Sequence, residues 1–247
     1  MHQIDAYLQH VVVEKGLSVN TVAAYRRDLD RFSGWLHDQG VSELAQVDPA
    51  MLGQFVTWLS SDQGLSATSV RRVVSSVRGL FRYAGAEGWI AVDPSEDLAS
   101  PTVPLRLPKA LSVEDTVAMV ESCDTSTVLG LRDQALLEFL YSCGARISEA
   151  VGLTPDALDL ADRSVLLRGK GGKQRRVPVG SHAAAALEAY LIRARPALLA
   201  ARKKSGPVPR EVFLNARGTL LSRQSAYGIV AAAADRAGVT GVSPHTL

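Results

Sequence analysis

At 247 residues, with 47% hydrophobic and 21% charged residues, the chain is long enough for two modest domains, and its ordinary globular composition excludes disorder of the whole. The formal charge of +2 is unevenly spread: nine Lys/Arg stand against twelve Asp/Glu in residues 1–107, and eighteen against thirteen in residues 108–247, a basic excess that suits a polyanionic partner. Cys123 and Cys143 are too few for a disulfide framework and read as buried reduced thiols, and without a leader or an apolar run of membrane length the expected location is cytoplasmic, with no membrane partner.

The first 87 residues read as a helical bundle. Ile4, Leu8 and Val11 or Val12 mark a first helix that Gly16 ends. Ser18 caps a second, whose Val22, Tyr25, Leu29, Phe32 and Leu36 form one apolar stripe before Gly40. Asp48-Pro49 opens a third helix that Gly64 closes, and Ser66 caps a fourth running to about Ala86. The second and fourth open alike, Gly16-Leu-Ser-Val-Asn-Thr-Val22 and Gly64-Leu-Ser-Ala-Thr-Ser-Val70, as the same capping chemistry used twice. Each opening leads into an arginine pair, Arg26-Arg27 and Arg71-Arg72. With Thr21, Tyr25 and Ser69 these are candidates for lying along a DNA groove, against the plainer alternative of a solvated basic face.

Four prolines between Gly88 and Leu111 break the periodicity and read as an interdomain linker over 88–107. A second domain follows over 108–247. Ser112 caps a helix with Glu114 and Asp115 in its first turn. A longer helix runs from about Val128 to Tyr141, with Leu129, Leu136, Leu137 and Leu140 facing a core, and Gly144 ends it. Residues 163–168 and 174–179 flank a glycine-rich turn as a hairpin. Lys203–Arg210 reads as a mobile solvated loop, Val212–Asn215 is too short to assign, and helices return over about 181–200 and 223–237.

Three stretches could carry chemistry. Arg146 and Glu149 are three apart at the start of a new helical turn, and only arginine offers a planar fork for two phosphate oxygens at every working pH. Glu149 could orient that fork. Gly169-Lys-Gly-Gly-Lys173 lacks the spacing and following helix of a nucleotide-binding loop, leaving a hairpin tip that projects Lys170, with Lys173 and Arg175 as further DNA-binding candidates. A desolvated lysine against a phosphate can serve as a general acid. His245 follows Ser243-Pro244, and no His or Cys spacing suggests a metal.

In this order, Tyr-x-x-Gly-x-Arg-x-Ser-Glu-x-x-x-Leu, then Gly-Lys-Gly-x-Lys with Val-Pro, then Ser-Pro-His-x-Leu, the chain resembles the tyrosine recombinase (phage integrase) family. The likeness spans the whole chain and is strongest to the Xer subfamily, its XerD branch before its XerC branch. It implies a mainly α fold with a small β-sheet: an N-terminal helical core-binding, SAM-like bundle and a mixed α/β catalytic domain that together clamp duplex DNA. It also implies that Arg146 grips the phosphodiester, Lys170 protonates the leaving 5′ oxygen, His245 begins a His-x-x-Arg motif and Glu149 supports them. The chemistry proceeds through a 3′-phosphotyrosine, with no metal and no cofactor, because cations replace metal ions and the covalent intermediate keeps the bond energy. The implied partners are duplex DNA at a dif-like site, a sister Xer recombinase in a tetramer and an FtsK-type translocase, in chromosome dimer resolution. Since Leu247 precedes the second Arg and the nucleophilic Tyr of the family pattern, the 247 residues are expected to bind DNA without cleaving it. A non-catalytic decoy that occupies the recombination site is the alternative.

Overall fold

The computed structural model describes residues 2–102, 111–203 and 207–242, in two compact units, Met1–Arg106 and Leu107–Leu247. The first unit is a bundle of α1 (His2–Val13), α2 (Val19–Asp38), α3 (Pro49–Ser61) and α4 (Ala67–Ala86). The side chains of Ser18, Asp48 and Ser66 accept the backbone N–H of Thr21, Met51 and Ser69, which satisfies one otherwise orphaned donor at each helix start. Leu29, Phe32 and Leu36 are fully buried, and Phe32 meets Phe55 and Phe81 edge-on with ring centroids 4.9 and 6.0 Å away. Helix α1 approaches α4 so closely that a Cβ on Gly79 would collide with the Tyr7 hydroxyl. Burial, with help from neighbouring Tyr25, pushes the Tyr7 phenol up to about 12.

One carboxylate ties α2 to α4 inside this bundle. Asp28 is fully buried, and its Oδ2 accepts hydrogen bonds from the Arg72 guanidinium and, at 2.9 Å, from the Ser76 hydroxyl. Arg26, by contrast, pairs at 3.1 Å with Asp5 where both side chains are more than half exposed.

The stretch read as a linker over 88–107 departs from expectation. Ile90 and Leu98 belong to the bundle's core, Trp89 N–H bonds Ala84 O at 2.9 Å, and Arg78 donates to the Leu98 carbonyl. Asp93 accepts from both the Ser95 amide (2.8 Å) and hydroxyl (2.7 Å), forming a turn that folds the segment back. Prolines remove helical periodicity without removing the reason for an apolar residue to dock. Residues 103–107 of that stretch lie outside the described residues.

In the second unit α5 (Val113–Glu121), α6 (Val128–Cys143) and α7 (Ile147–Val151) precede an antiparallel sheet of β1 (Leu158–Asp159), β2 (Ser164–Arg168) and β3 (Gln174–Pro178), in the order β1-β2-β3. Then come α8 (Ser181–Ala189), α9 (Arg195–Ala200) and α10 (Arg223–Ala237). Leu136, Leu137 and Leu140 are buried as expected, but Leu129 on the first turn of α6 is 38% exposed. The helix expected over 181–200 is interrupted by a π-helical turn, Tyr190–Ala194. Pro196 has no N–H for the Ile192 carbonyl, so the hydrogen-bond register widens upstream of it. The widened turn carries fully buried Tyr190, whose hydroxyl donates to Val212 O at 2.9 Å and accepts Leu214 N–H at 3.1 Å. The segment read as too short to assign is thereby part of the core, and Leu214 pairs with Leu220 as an isolated bridge. Of the loop expected to be mobile, residues 204–206 lie outside the described residues, while Pro207 O accepts from Arg202 at 2.8 Å and Pro209 O from Arg195 at 3.0 Å. Cys123 and Cys143 are free and buried. No described helix is long and apolar enough to cross a membrane.

Trp35, Trp58 and Trp89, the chain's three tryptophans, all lie in the first unit, so tryptophan fluorescence follows its unfolding alone. Arg72→Met strands a buried carboxylate and should destabilise this unit by about 2–3 kcal/mol in urea, less than for a fully enclosed pair because Arg72 is half exposed. Arg26→Met should cost less than about 1 kcal/mol. Equal effects would mean that Asp28 does not organise the bundle.

Candidate active site

Helix α6 ends at Gly144, whose φ of 53° reverses the chain at a position where a side chain would be strained. Ala145 and Ile147 then tuck into the core, and Arg146 stands between them with extended backbone as the cap of α7. Its neighbours point inward, so its own side chain points outward and is 65% exposed. Glu149, one turn on, is the reverse: its carboxylate is 2% exposed. Oε2 accepts the Arg146 backbone N–H at 2.7 Å, and Oε1 accepts Nη1 of the Arg146 guanidinium at 3.2 Å.

The hairpin completes the carboxylate's surroundings. Strands β2 and β3 pair Leu167 with Arg175 and Leu166 with Arg176. Because side chains alternate along a strand, Arg175 shares the face of buried Val165 and Leu167, while Arg176 turns to the other face and bonds the Ser164 hydroxyl at 2.8 Å. Arg175 reaches Glu149 with two parallel bonds, Nη1 to Oε1 at 2.6 Å and Nη2 to Oε2 at 2.9 Å, and Nη2 also meets Gly144 O at 3.3 Å. Desolvation alone would raise the Glu149 pKa. The Arg175 hydrogen bonds, the Arg146 N–H and the two guanidinium charges outweigh it and hold the carboxyl below its usual range.

Beyond this cluster the hairpin closes through Gly169 N–H to Lys173 O at 2.7 Å, and its tip turns through Gly171 and Gly172 at φ of 72° and 73°. Lys170 heads that turn, and Lys173 ends it exposed. The Lys170 side chain is not among those described, and His245 lies outside the described residues. Of the candidate residues in this unit, the structure thus brings together Arg146, Glu149 and Arg175. Arg175 was legible as a basic residue in a basic stretch; only strand register reveals which way it faces.

In the first unit the candidates divide by partner. The Thr21 and Ser69 hydroxyls bond the capping hydroxyls of Ser18 and Ser66, Arg26 holds Asp5, and Arg72 holds Asp28. Among the described residues Arg27 and Arg71 enter no ion pair, and both are exposed. Tyr25, Arg71 and Arg72 line a cleft of about 520 Å³ with Thr68, Ser75, Arg78 and Ser100. Among the described residues Nε of Arg78 is buried without a hydrogen-bond partner, and the lining of the cleft otherwise presents cations and hydroxyls. Thr68, Ser75 and Arg78 carry no motif of their own, and their signal in the sequence is the steps 68, 71, 75 and 78, which trace one helical face.

Of the chain's six tyrosines, Tyr190 is fully enclosed with its hydroxyl engaged on both sides, whereas Tyr141 and Tyr227 are more than 40% exposed. Among the described residues no three His, Cys, Asp or Glu side chains are grouped to hold a metal ion.

Residues 4–88 match the phage integrase N-terminal SAM-like domain, and residues 109–247 match the phage integrase family. The tyrosine recombinase XerD of Mycobacterium tuberculosis is 47% identical over 99% of this chain and 81% of its own length. The tyrosine recombinase XerC of Pseudomonas fluorescens is 38% identical over 99% and 79%. Among solved structures, a lambda integrase dimer bound to a COC′ core site superposes with a TM-score of 0.72 at 14% identity, covering 100% of this chain and 83% of that one. XerH bound to palindromic difH after cleavage gives 0.72 at 21% identity, covering 94% and 67%, so at these identities the two share the fold. With one domain match on each unit and a relative 47% identical over 99% of this chain, the chain belongs to the phage integrase family of tyrosine recombinases.

Proposed function

We propose that the chain serves site-specific DNA recombination of the Xer type, a reaction in which DNA is cleaved and rejoined through a 3′-phosphotyrosine. The observation that carries this reading is an exposed guanidinium, Arg146, steadied from behind by a buried carboxylate, in a member of this family. Arg146 offers its fork to two non-bridging oxygens of the scissile phosphodiester and stabilises the charge that develops as a tyrosine oxygen attacks phosphorus. The bond to the 5′ oxygen breaks, and Lys170 gives that oxygen its proton. The family resemblance assigns His245 to the same phosphate. The covalent phosphotyrosine keeps the energy of the broken bond, so a 5′ hydroxyl from another strand can attack it and rejoin DNA without nucleotide hydrolysis. We assign the nucleophile to none of the six tyrosines in residues 1–247.

In the first unit, the cleft lined by Tyr25, Arg71, Arg72 and Arg78 is assigned to DNA phosphate, and exposed Arg27 is a further candidate cation. The recombination site is read as short and dif-like, worked by a tetramer with a sister Xer recombinase and driven by an FtsK-type translocase during chromosome dimer resolution. The XerD and XerC names of the relatives support that assignment.

Joining residues 1–247 to the C-terminal segment of the 47%-identical relative gives a chain in which cleavage can be assayed on a nicked target site. A denaturant-resistant protein–DNA adduct is expected from the joined chain and none from residues 1–247 alone. Arg146→Lys in the joined chain should keep most of the DNA affinity and lose at least about 100-fold in cleavage rate, because a point charge cannot replace the fork. Near-normal cleavage by that variant removes Arg146 from the site.

DNA binding by residues 1–247 should weaken steeply with salt, and Arg71→Ala and Arg78→Ala should each lower the slope of log K against log salt by about one. Unchanged slopes would assign the cleft to something other than phosphate.

A further inference from the structure

Arg175 is a basic residue on the Lys170 hairpin, in a site read as binding DNA phosphate, yet its geometry suits a different task. Both terminal nitrogens are spent on Glu149, at 2.6 and 2.9 Å, while the Arg146 guanidinium touches the same carboxylate only through Nη1 at 3.2 Å. The tighter pairing therefore belongs to Arg175. Its fork also spans three pieces of chain: the hairpin that carries Lys170, the Gly144 carbonyl that ends α6, and Glu149 on α7. The hairpin base presses against this carboxylate, since a Cβ on Gly169 would stand 3.3 Å from Glu149 Oε1.

Two cations around one anion leave a single positive charge over. The bond lengths and exposures say where it resides: Arg146 is 65% exposed and loosely held, Arg175 38% exposed and doubly bonded. We propose that Arg175 is a positioning residue and not a DNA contact: it neutralises Glu149, which frees the Arg146 charge for phosphate, and it fastens the Lys170 hairpin to the Arg146 turn. This rests on the reading of Arg146 as the phosphate-binding arginine. Without Arg175, a carboxylate with 2% of its surface in solvent has only Arg146 to satisfy it, and the guanidinium should swing onto Glu149 and away from DNA.

DNA binding by residues 1–247 tests this without any need for strand cleavage. In the wild-type background Arg146→Ala should weaken affinity by about tenfold. In an Arg175→Gln background the same change should have little effect, because Arg146 is already consumed. Adding Glu149→Gln to Arg175→Gln removes the uncompensated charge and should restore the Arg146 contribution, which a purely structural role for Arg175 would not do. Arg175→Lys keeps the counter-charge and is the variant to read if Arg175→Gln does not fold; in it the Arg146 contribution should persist. Should Arg175→Gln lower the salt slope by about one with Arg146→Ala still costing tenfold, Arg175 is a phosphate contact and the proposal is overturned. Loss of the Arg146 contribution in Arg175→Lys overturns it equally. A wild-type chain that ignores duplex DNA at low salt overturns the functional reading and this proposal together.

Discussion

A carboxylate withdrawn from water between two guanidinium groups organises the second unit around it. An isolated buried charge is costly, and it persists only where hydrogen bonds and opposite charge surround it. Glu149 meets that demand with one backbone N–H and three guanidinium nitrogen contacts, two of the four donors from Arg146 and two from Arg175 on separate pieces of chain. The N–H comes from the start of α7, a position that exists because Gly144 turns the chain out of α6. Arg175 comes from β3, facing inward because the register sets it opposite Leu167. The requirement to satisfy one anion thus sets the relation of helix end, helix start and hairpin, and hence where the exposed guanidinium of Arg146 stands.

The first unit uses the same device on another scale. Asp28 is fully buried in α2 and holds Arg72 of α4, whose guanidinium remains half exposed. In both units a cation at the surface is anchored by an acid beneath it. Anchoring reduces the rotamer freedom a long side chain would lose on meeting a polyanion, so less of the interaction is spent on ordering. Arg27 and Arg71, exposed and without ion pairs among the described residues, lack that preparation, and their part in binding is the less directional one of charge.

Support for the α7 region comes from behind. Val212 N–H bonds Leu153 O at 2.7 Å just past the end of α7, and the 209–214 segment is held in turn by the Tyr190 hydroxyl and by Arg195. Tyr190 can reach because Pro196 disturbs the helix register at that point. An irregularity in one helix therefore secures the loop that backs the turn bearing Arg146.

Most local structure was legible in the sequence. Ser18, Asp48, Ser66, Ser112 and Ser222 announce helix starts, since capping depends on a short polar side chain a few atoms from its own backbone. Gly144 and the Gly171-Gly172 pair announce reversals because few residues tolerate positive φ. The likeness to the family rests on the identity and order of Arg146, Glu149, Lys170 and His245, and chain order is a property of sequence. The prolines misled over residues 89–98, because loss of periodicity says nothing about whether Ile90 and Leu98 find a core. Leu129 misled in the opposite sense: on the first turn of α6 Leu131 is buried and Val128 packs against the core, while Leu129 faces away from it. What only the tertiary structure decided was partnership: that Arg72 serves Asp28 across 44 residues and Arg175 serves Glu149 across 26. A basic residue reads alike in sequence whether it faces solvent, DNA or a buried acid, because the difference lies in the long-range contacts that folding alone assembles.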